Sequence, residues 1–147
     1  MAIKPSGYGE NTLANPSTQT IASDGAVVLV SIDFDEPDYA ESLQELRQLV
    51  TSAGMHVRAT IEGKRSAPDA KLFIGSGKAD ELKLTLEASE TNLVAFNHDL
   101  SPSQQRNLER FLQAKVLERT GLILDSFAQR AKSHEGKLQV ELAQLEH

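Results

Sequence analysis

Ala26-Val27-Val28-Leu29-Val30-Ser31-Ile32 is the stretch on which the fold turns. It is nearly unbroken in apolar character, rich in β-branched residues and of strand length, as a strand covered on both faces requires. Such a strand needs helices above and below it. Downstream, Asp38 follows Pro37 and precedes Glu41 by three residues, the spacing of a capping box. Tyr39, Leu43, Leu46 and Val50 then recur at three- and four-residue steps, predicting a helix to about Ala53 with one apolar stripe. Gly54 suits the left-handed residue that ends a helix. Residues 55–61 alternate, with Met55, Val57, Ala59 and Ile61 on one side and His56, Arg58 and Thr60 on the other, the pattern of a strand nearer an edge.

A polar loop over residues 62–70, a short strand over 72–74, a turn over 75–77 and a helix over 78–88 follow, the helix carrying Ala79, Leu82 and Leu86 on one face. The strand at 93–96 leads to Ser101, Pro102 and Gln104, which combine an N-cap hydroxyl, a first-turn proline and a capping-box partner. The helix they start runs to about Gln113 and buries Leu108, Phe111 and Leu112. A last short strand lies around Val116 and Leu117, and Thr120 caps a helix through Phe127 and Ala131. Strands and helices alternating through short joins imply an α/β fold: a mostly parallel sheet of about four main strands with flanking helices.

With 147 residues, 39% of them apolar and 24% charged, the chain has the make-up of one globular unit. Residues 1–24, rich in Ser, Thr, Asn, Gly and Pro, are expected to form a flexible tail, and 25–134 the α/β body. There is no cysteine, which excludes disulfides, zinc ribbons and thiol nucleophiles. His56, His98, His134 and His147 lack ligand-like spacing, so no metal site is expected. No apolar run approaches the roughly 20 residues that cross a bilayer, and residues 1–24 lack the apolar stretch of a secretory signal; a cytoplasmic protein is expected. A net charge of −6 argues against a domain that clamps nucleic acid alone, so any RNA contact must be local or shared.

Gly75-Ser76-Gly77-Lys78 is the candidate phosphate or nucleotide site, since glycines between a strand and a helix free backbone N–H groups and a lysine supplies charge. The full Walker pattern is absent: Leu72 stands where the first glycine belongs and Ala79 where Ser or Thr would follow the lysine. An ordinary strand-to-helix turn is the favoured account of the motif, and on that reading Gly77 serves backbone geometry. Asp99, Asp125, His98 and His134 do not by spacing form an acid–base site, and no catalytic residue is assigned. Lys115, Arg119, Arg130, Lys132 and Lys137 outnumber the acidic residues of 114–137 in an otherwise acidic chain, a candidate cationic patch. From Gly136 onward, Leu138, Leu142 and Leu145 follow the spacing of a coiled-coil seam, so 135–147 reads as the beginning of a longer helix able to pair weakly with a second copy.

Three stretches together resemble the HflX family of ribosome-associated GTPases: residues 73–78 (FIGSGK), 100–109 (LSPSQQRNLE) and 119–145 (RTGLILDSFAQRAKSHEGKLQVELAQL). The resemblance implies an amino-terminal α/β subdomain followed by the start of a helical hairpin, with the GTP-binding domain outside this chain. GTP and magnesium would belong to that domain; no cofactor and no enzymatic activity are expected in the chain as given. It further implies the large ribosomal subunit and its RNA as partner, with Lys115, Arg119, Arg130, Lys132 and Lys137 as candidate contacts. In the whole protein, GTP binding and hydrolysis would be coupled to ribosome splitting or rescue under stress. Two other roles fit the same residues: a nucleotide module holding ATP at Gly75 to Lys78, or a regulatory domain that restrains its own GTPase domain.

Overall fold

A computed structural model describes residues 25–145, with side chains through residue 132. The expected tail 1–24 and His147 lie outside the described residues, as do the side chains of His134, Lys137, Leu138, Leu142 and Leu145. The elements are β1 (Ala26–Asp33), α1 (Tyr39–Ser52), β2 (His56–Lys64), α2 (Ser76–Ala88), β3 (Leu93–Phe96), α3 (Pro102–Leu112), β4 (Lys115–Leu117) and α4 (Arg119–Leu145). All strand pairings are parallel and the sheet order is β2-β1-β3-β4.

The chain leaves β1 toward one edge and returns across it toward the other, so consecutive right-handed crossovers place helices on opposite faces. One face packs Val28, Val30 and Ile32 of β1 under Leu82 and Leu86 of α2 and Leu108 and Leu112 of α3. The other packs Val27 and Leu29 under Leu43, Leu46 and Val50 of α1 and Leu122 of α4. Val27 through Val30 are wholly buried, which is why β1 carries apolar residues on both sides.

The α1 stripe reads as expected, and its end is a Schellman arrangement: Met55 N–H donates to Val50 O at 3.0 Å, Gly54 N–H to Thr51 O at 3.0 Å, and Gly54 has φ +88°. Its beginning differs. Asp38 occupies the N-cap with φ −102° and ψ 24°, outside the extended region in which a cap side chain reaches back, and makes no side-chain cap bond.

β2 departs from simple alternation. A bulge at Arg58 shifts the register between Val27↔Val57 and Val28↔Ala59. Met55 and Val57 therefore join the α1 face, whereas Ala59 and Ile61 join the α2 face. The expected common face for these four residues does not form. The strand also runs on to Lys64, pairing Glu62, Gly63 and Lys64 with Ser31, Ile32 and Asp33, where a loop was expected from Glu62.

Residues 72–74 are not a strand of the sheet. The Asp69 carboxylate accepts the N–H groups of Lys71 (3.0 Å) and Leu72 (2.8 Å), folding the chain back so that Asp69 and Phe73 exchange backbone hydrogen bonds in an isolated bridge. Phe73 has φ +66°, and Ile74 N–H donates to Leu72 O at 2.6 Å, a γ-turn of the strained kind. The turn is held because Leu72, Phe73 and Ile74 are all buried in the α2/α3 core. Their apolar character reflects burial at the end of the sheet, not ladder pairing.

Ser101 caps α3 as read: its Oγ accepts from Gln104 N–H at 3.1 Å, and Gln104 Oε1 accepts from Ser101 N–H at 2.9 Å. α4 begins one residue before Thr120, and its cap comes from elsewhere. Asp99 accepts from the backbone N–H (3.0 Å) and hydroxyl (2.6 Å) of Thr120, placing a carboxylate at a helix N-terminus. α4 continues unbroken to Leu145, so the stretch expected after Thr120 and the leucine-spaced segment are one helix.

Candidate functional site

In doubly wound sheets the crevice that receives ligands opens at the carboxyl ends of the two strands where the winding reverses, here β1 and β3. This chain fills that position with its own side chains. On the α2/α3 face, Phe34, Phe73, Phe96 and His98 cluster with ring centroids 5.1–6.3 Å apart, three of the contacts edge to face and Phe73–His98 tilted. His98 Nε2 accepts the Ile32 N–H at 2.9 Å, which requires the neutral ring. Burial pushes the His98 pKa down to about 4; the charge of Arg119 adds to the fall and Asp99 opposes it.

On the α1/α4 face, the buried Asn97 donates through its amide to Ser31 Oγ and Ser42 Oγ, both at 3.1 Å. The Arg119 guanidinium donates to Asn97 Oδ1, to Ser42 O at 3.0 Å and to Glu45. β1, α1, β3 and the start of α4 thus meet at one hydrogen-bonded node. Nothing in the residue spacing marks Ser31, Ser42 and Asn97 as a set; the only local signal is a lone polar residue ending the apolar run of β3.

An open cleft lies beside this plug. Ile32, Gly63, Lys64, Arg65, Asp69 and Gly75 to Lys78 surround a cleft of about 440 Å³ between the end of β2 and the first turn of α2. Gly75 precedes α2 with φ +85° and ψ 161°, a conformation essentially reserved for glycine. Gly77 is different: its φ is not positive, and a Cβ there would meet nothing within 4 Å. Backbone necessity therefore rests on Gly75, and the expectation that Gly77 serves it is overturned.

The Lys78 ammonium donates to Glu62 O (3.1 Å) and Glu81 Oε1 (2.9 Å). Arg65 Nε donates to Ala67 O at 2.9 Å, while its terminal nitrogen stands beside Gly75. Arg65 also helps Asp69 stay ionised, but the larger causes of that carboxyl's lowered pKa are the N–H groups of Leu72 and then Lys71. Lys64 and Arg65 are cleft residues that the motif reading missed, because they sit ten residues upstream on another element. The residues do not fit a magnesium–GTP centre: the lysine is turned onto protein acceptors, and buried Ala79 stands where a metal-binding hydroxyl is needed.

The candidate RNA contacts divide. Arg119 lies inside the node just described. Arg130 and Lys132 are exposed on α4, the Arg130 guanidinium 5.9 Å from the Phe127 ring centre. Lys115 is half-buried on β4, at the opposite edge of the sheet from β2 and the cleft. His98, Asp99 and Asp125 do not converge: His98 enters the aromatic cluster, Asp99 caps α4, and Asp125 borders a groove with Leu49 and Ser52 of α1.

The family model described as GTP-binding GTPase N-terminal matches residues 40–128. Over 120 residues the chain is 54% identical to GTPase HflX of Escherichia coli (strain K12), covering 82% of this chain and 28% of that protein. It is 42% identical over 120 residues to GTPase HflX of Thermofilum pendens, with the same coverage of 82% and 28%. The crystal structure of an SsGBP and GDP complex superposes with TM-score 0.52 at 28% identity, covering 83% of this chain and 34% of that one. The chain thus spans less than a third of the curated relatives it matches. With the family model covering α1 through the first turns of α4, this chain belongs to the GTP-binding GTPase N-terminal family, as an HflX N-terminal domain.

Proposed function

We propose that this domain is the ribosome-facing part of an HflX-like cytoplasmic GTPase, contacting the large ribosomal subunit and its RNA. In the whole protein it would couple GTP binding and hydrolysis, carried by other parts of the sequence, to ribosome splitting or rescue under stress. Family membership supports the reading, and the observation that carries it here is the set of exposed side chains on α4. Beyond Leu122, Leu124, Phe127, Arg130 and Lys132 are each exposed, and the Arg130 guanidinium stands by the Phe127 ring. A cation beside an aromatic ring suits phosphate and base contacts at once. Co-sedimentation with purified large ribosomal subunits tests this. The chain should pellet with them at low salt, and Arg130→Glu with Lys132→Glu should weaken pelleting at least several-fold; absence of pelleting at any salt would refute the reading.

A second reading has its own observation, the gathering of Lys64, Arg65 and Lys78 around the first turn of α2. In it the cleft holds the phosphates of ATP. Calorimetry with ATP and GTP on wild type and Arg65→Ala distinguishes it, since only this reading requires heat that the substitution removes.

A further inference from the structure

The polar residues of 101–109 nearly all have intramolecular tasks. Ser101 and Gln104 cap α3, and Gln104 also donates to Asp69 O at 2.8 Å. Gln105 donates to Val116 O at 3.2 Å and Asn107 to Lys71 O at 3.1 Å, while Glu109 accepts the Val116 N–H at 3.0 Å. Arg106 stands apart: it is exposed, and among the described residues its side chain has no partner. Arg110, one turn later, is in the same condition.

From this remainder we infer that the outward face of α3 is a binding surface for an RNA phosphate backbone, with Arg106 and Arg110 as its contacts. Residues four apart on a helix stack on one side, about 6 Å apart along the axis, comparable with the step between successive phosphates on a strand. Each guanidinium presents a planar donor fork that matches phosphate oxygens. Ser103 and Gln113, exposed at either end, extend the row with neutral hydrogen-bonding groups. The one carboxylate of α3, on Glu109, is turned to β4, so the helix's own side chains leave the two charges unopposed. Lys71 is brought alongside by Asn107, and Lys83 lies over Phe111 at 5.0 Å, adding cations on the α2 side. In a chain of net charge −6 this face is distinct from the α4 cations, which lie across the sheet from it. An acidic peptide would gain from the charges but not from the spacing of forks along a polyanion, so RNA is favoured.

The proposal rests on the reading of the domain as RNA-facing, and its test separates the two. Fluorescence anisotropy with a labelled RNA hairpin, at several KCl concentrations, would compare wild type, the double variant Arg106→Gln/Arg110→Gln and the double variant Arg130→Gln/Lys132→Gln. Loss of two phosphate contacts should weaken binding roughly tenfold at low salt and flatten the slope of log K against log salt by about 1.5. Because both arginines are exposed and without partners, thermal stability should be unchanged, so a loss of binding will report on the surface. If the α3 variant binds with wild-type affinity and slope while the α4 variant does not, the proposal is wrong and the ribosome reading survives. Polyglutamate competing as well as unlabelled RNA would overturn it in favour of an acidic protein partner. If wild type binds no RNA hairpin, the proposal fails, and large-subunit co-sedimentation decides the broader reading independently.

Discussion

His98 shows how a single residue's chemistry follows from its surroundings. It follows β3 at the winding reversal, where Phe34 and Phe73 pack against it and the Ile32 N–H requires an acceptor. Only the neutral imidazole accepts, and burial lowers its pKa from 6.5 to about 4. Between those values the unfolded chain binds the proton that the folded chain refuses, so stability is intact above about pH 6.5 and falls as pH drops toward 4. The loss should be on the order of 1 to 2 kcal/mol once the partial exposure of the ring is allowed for. Urea unfolding at pH 7 and pH 4.5 measures it, and His98→Gln, which keeps an acceptor and cannot titrate, should lose this part of the pH dependence. An unchanged slope in the variant would show that His98 is not its source. The histidine was visible in the sequence as one of four; its acceptor role was not, because Ile32 lies 66 residues away.

At the scale of elements, helices whose ends are closed by neighbours in sequence were readable. The Ser101–Gln104 box and the Gly54 ending involve atoms within a few residues, and both form as read. Where a distant group closes the end, or the strand partner sets the register, local reading failed, as it also did at Asp38, whose side chain makes no cap bond. Asp99 caps α4, and β1 imposes the bulge that sends Val57 and Ala59 to opposite faces. The start of α2 carries a prediction of this kind. Gly75→Ala places a side chain at φ +85° beside the Arg65 guanidinium and should cost about 1 to 3 kcal/mol. Gly77→Ala adds a Cβ to open space in a helical turn and should be neutral or stabilising by up to about 1 kcal/mol. Thermal unfolding of both variants checks this, and equal destabilisation would contradict the geometry.

For the whole molecule, α4 is the longest of the described helices, at 27 residues. Leu122 is buried, whereas Leu124 and Phe127 are 61% and 60% exposed, and the sequence continues the apolar spacing through Leu138, Leu142 and Leu145. Exposed apolar side chains such as Leu124 and Phe127 favour pairing, and a second copy can supply the partner. Analytical ultracentrifugation should find a weak, concentration-dependent dimer that Phe127→Asp or Leu142→Asp reduces without loss of the α/β core; a dimer indifferent to both would place the contact elsewhere. The sequence alone determined the α/β class, the parallel pairing and the family, because apolar periodicity, short connections and long motif stretches are properties of neighbouring residues. The tertiary structure alone decided that the winding reversal is plugged by Phe34, Phe73, His98 and the Arg119 node, that the cleft opens between Lys64 and Lys78, and that Arg106 is left over. Those outcomes depend on groups tens of residues apart meeting across the sheet, which no local pattern encodes.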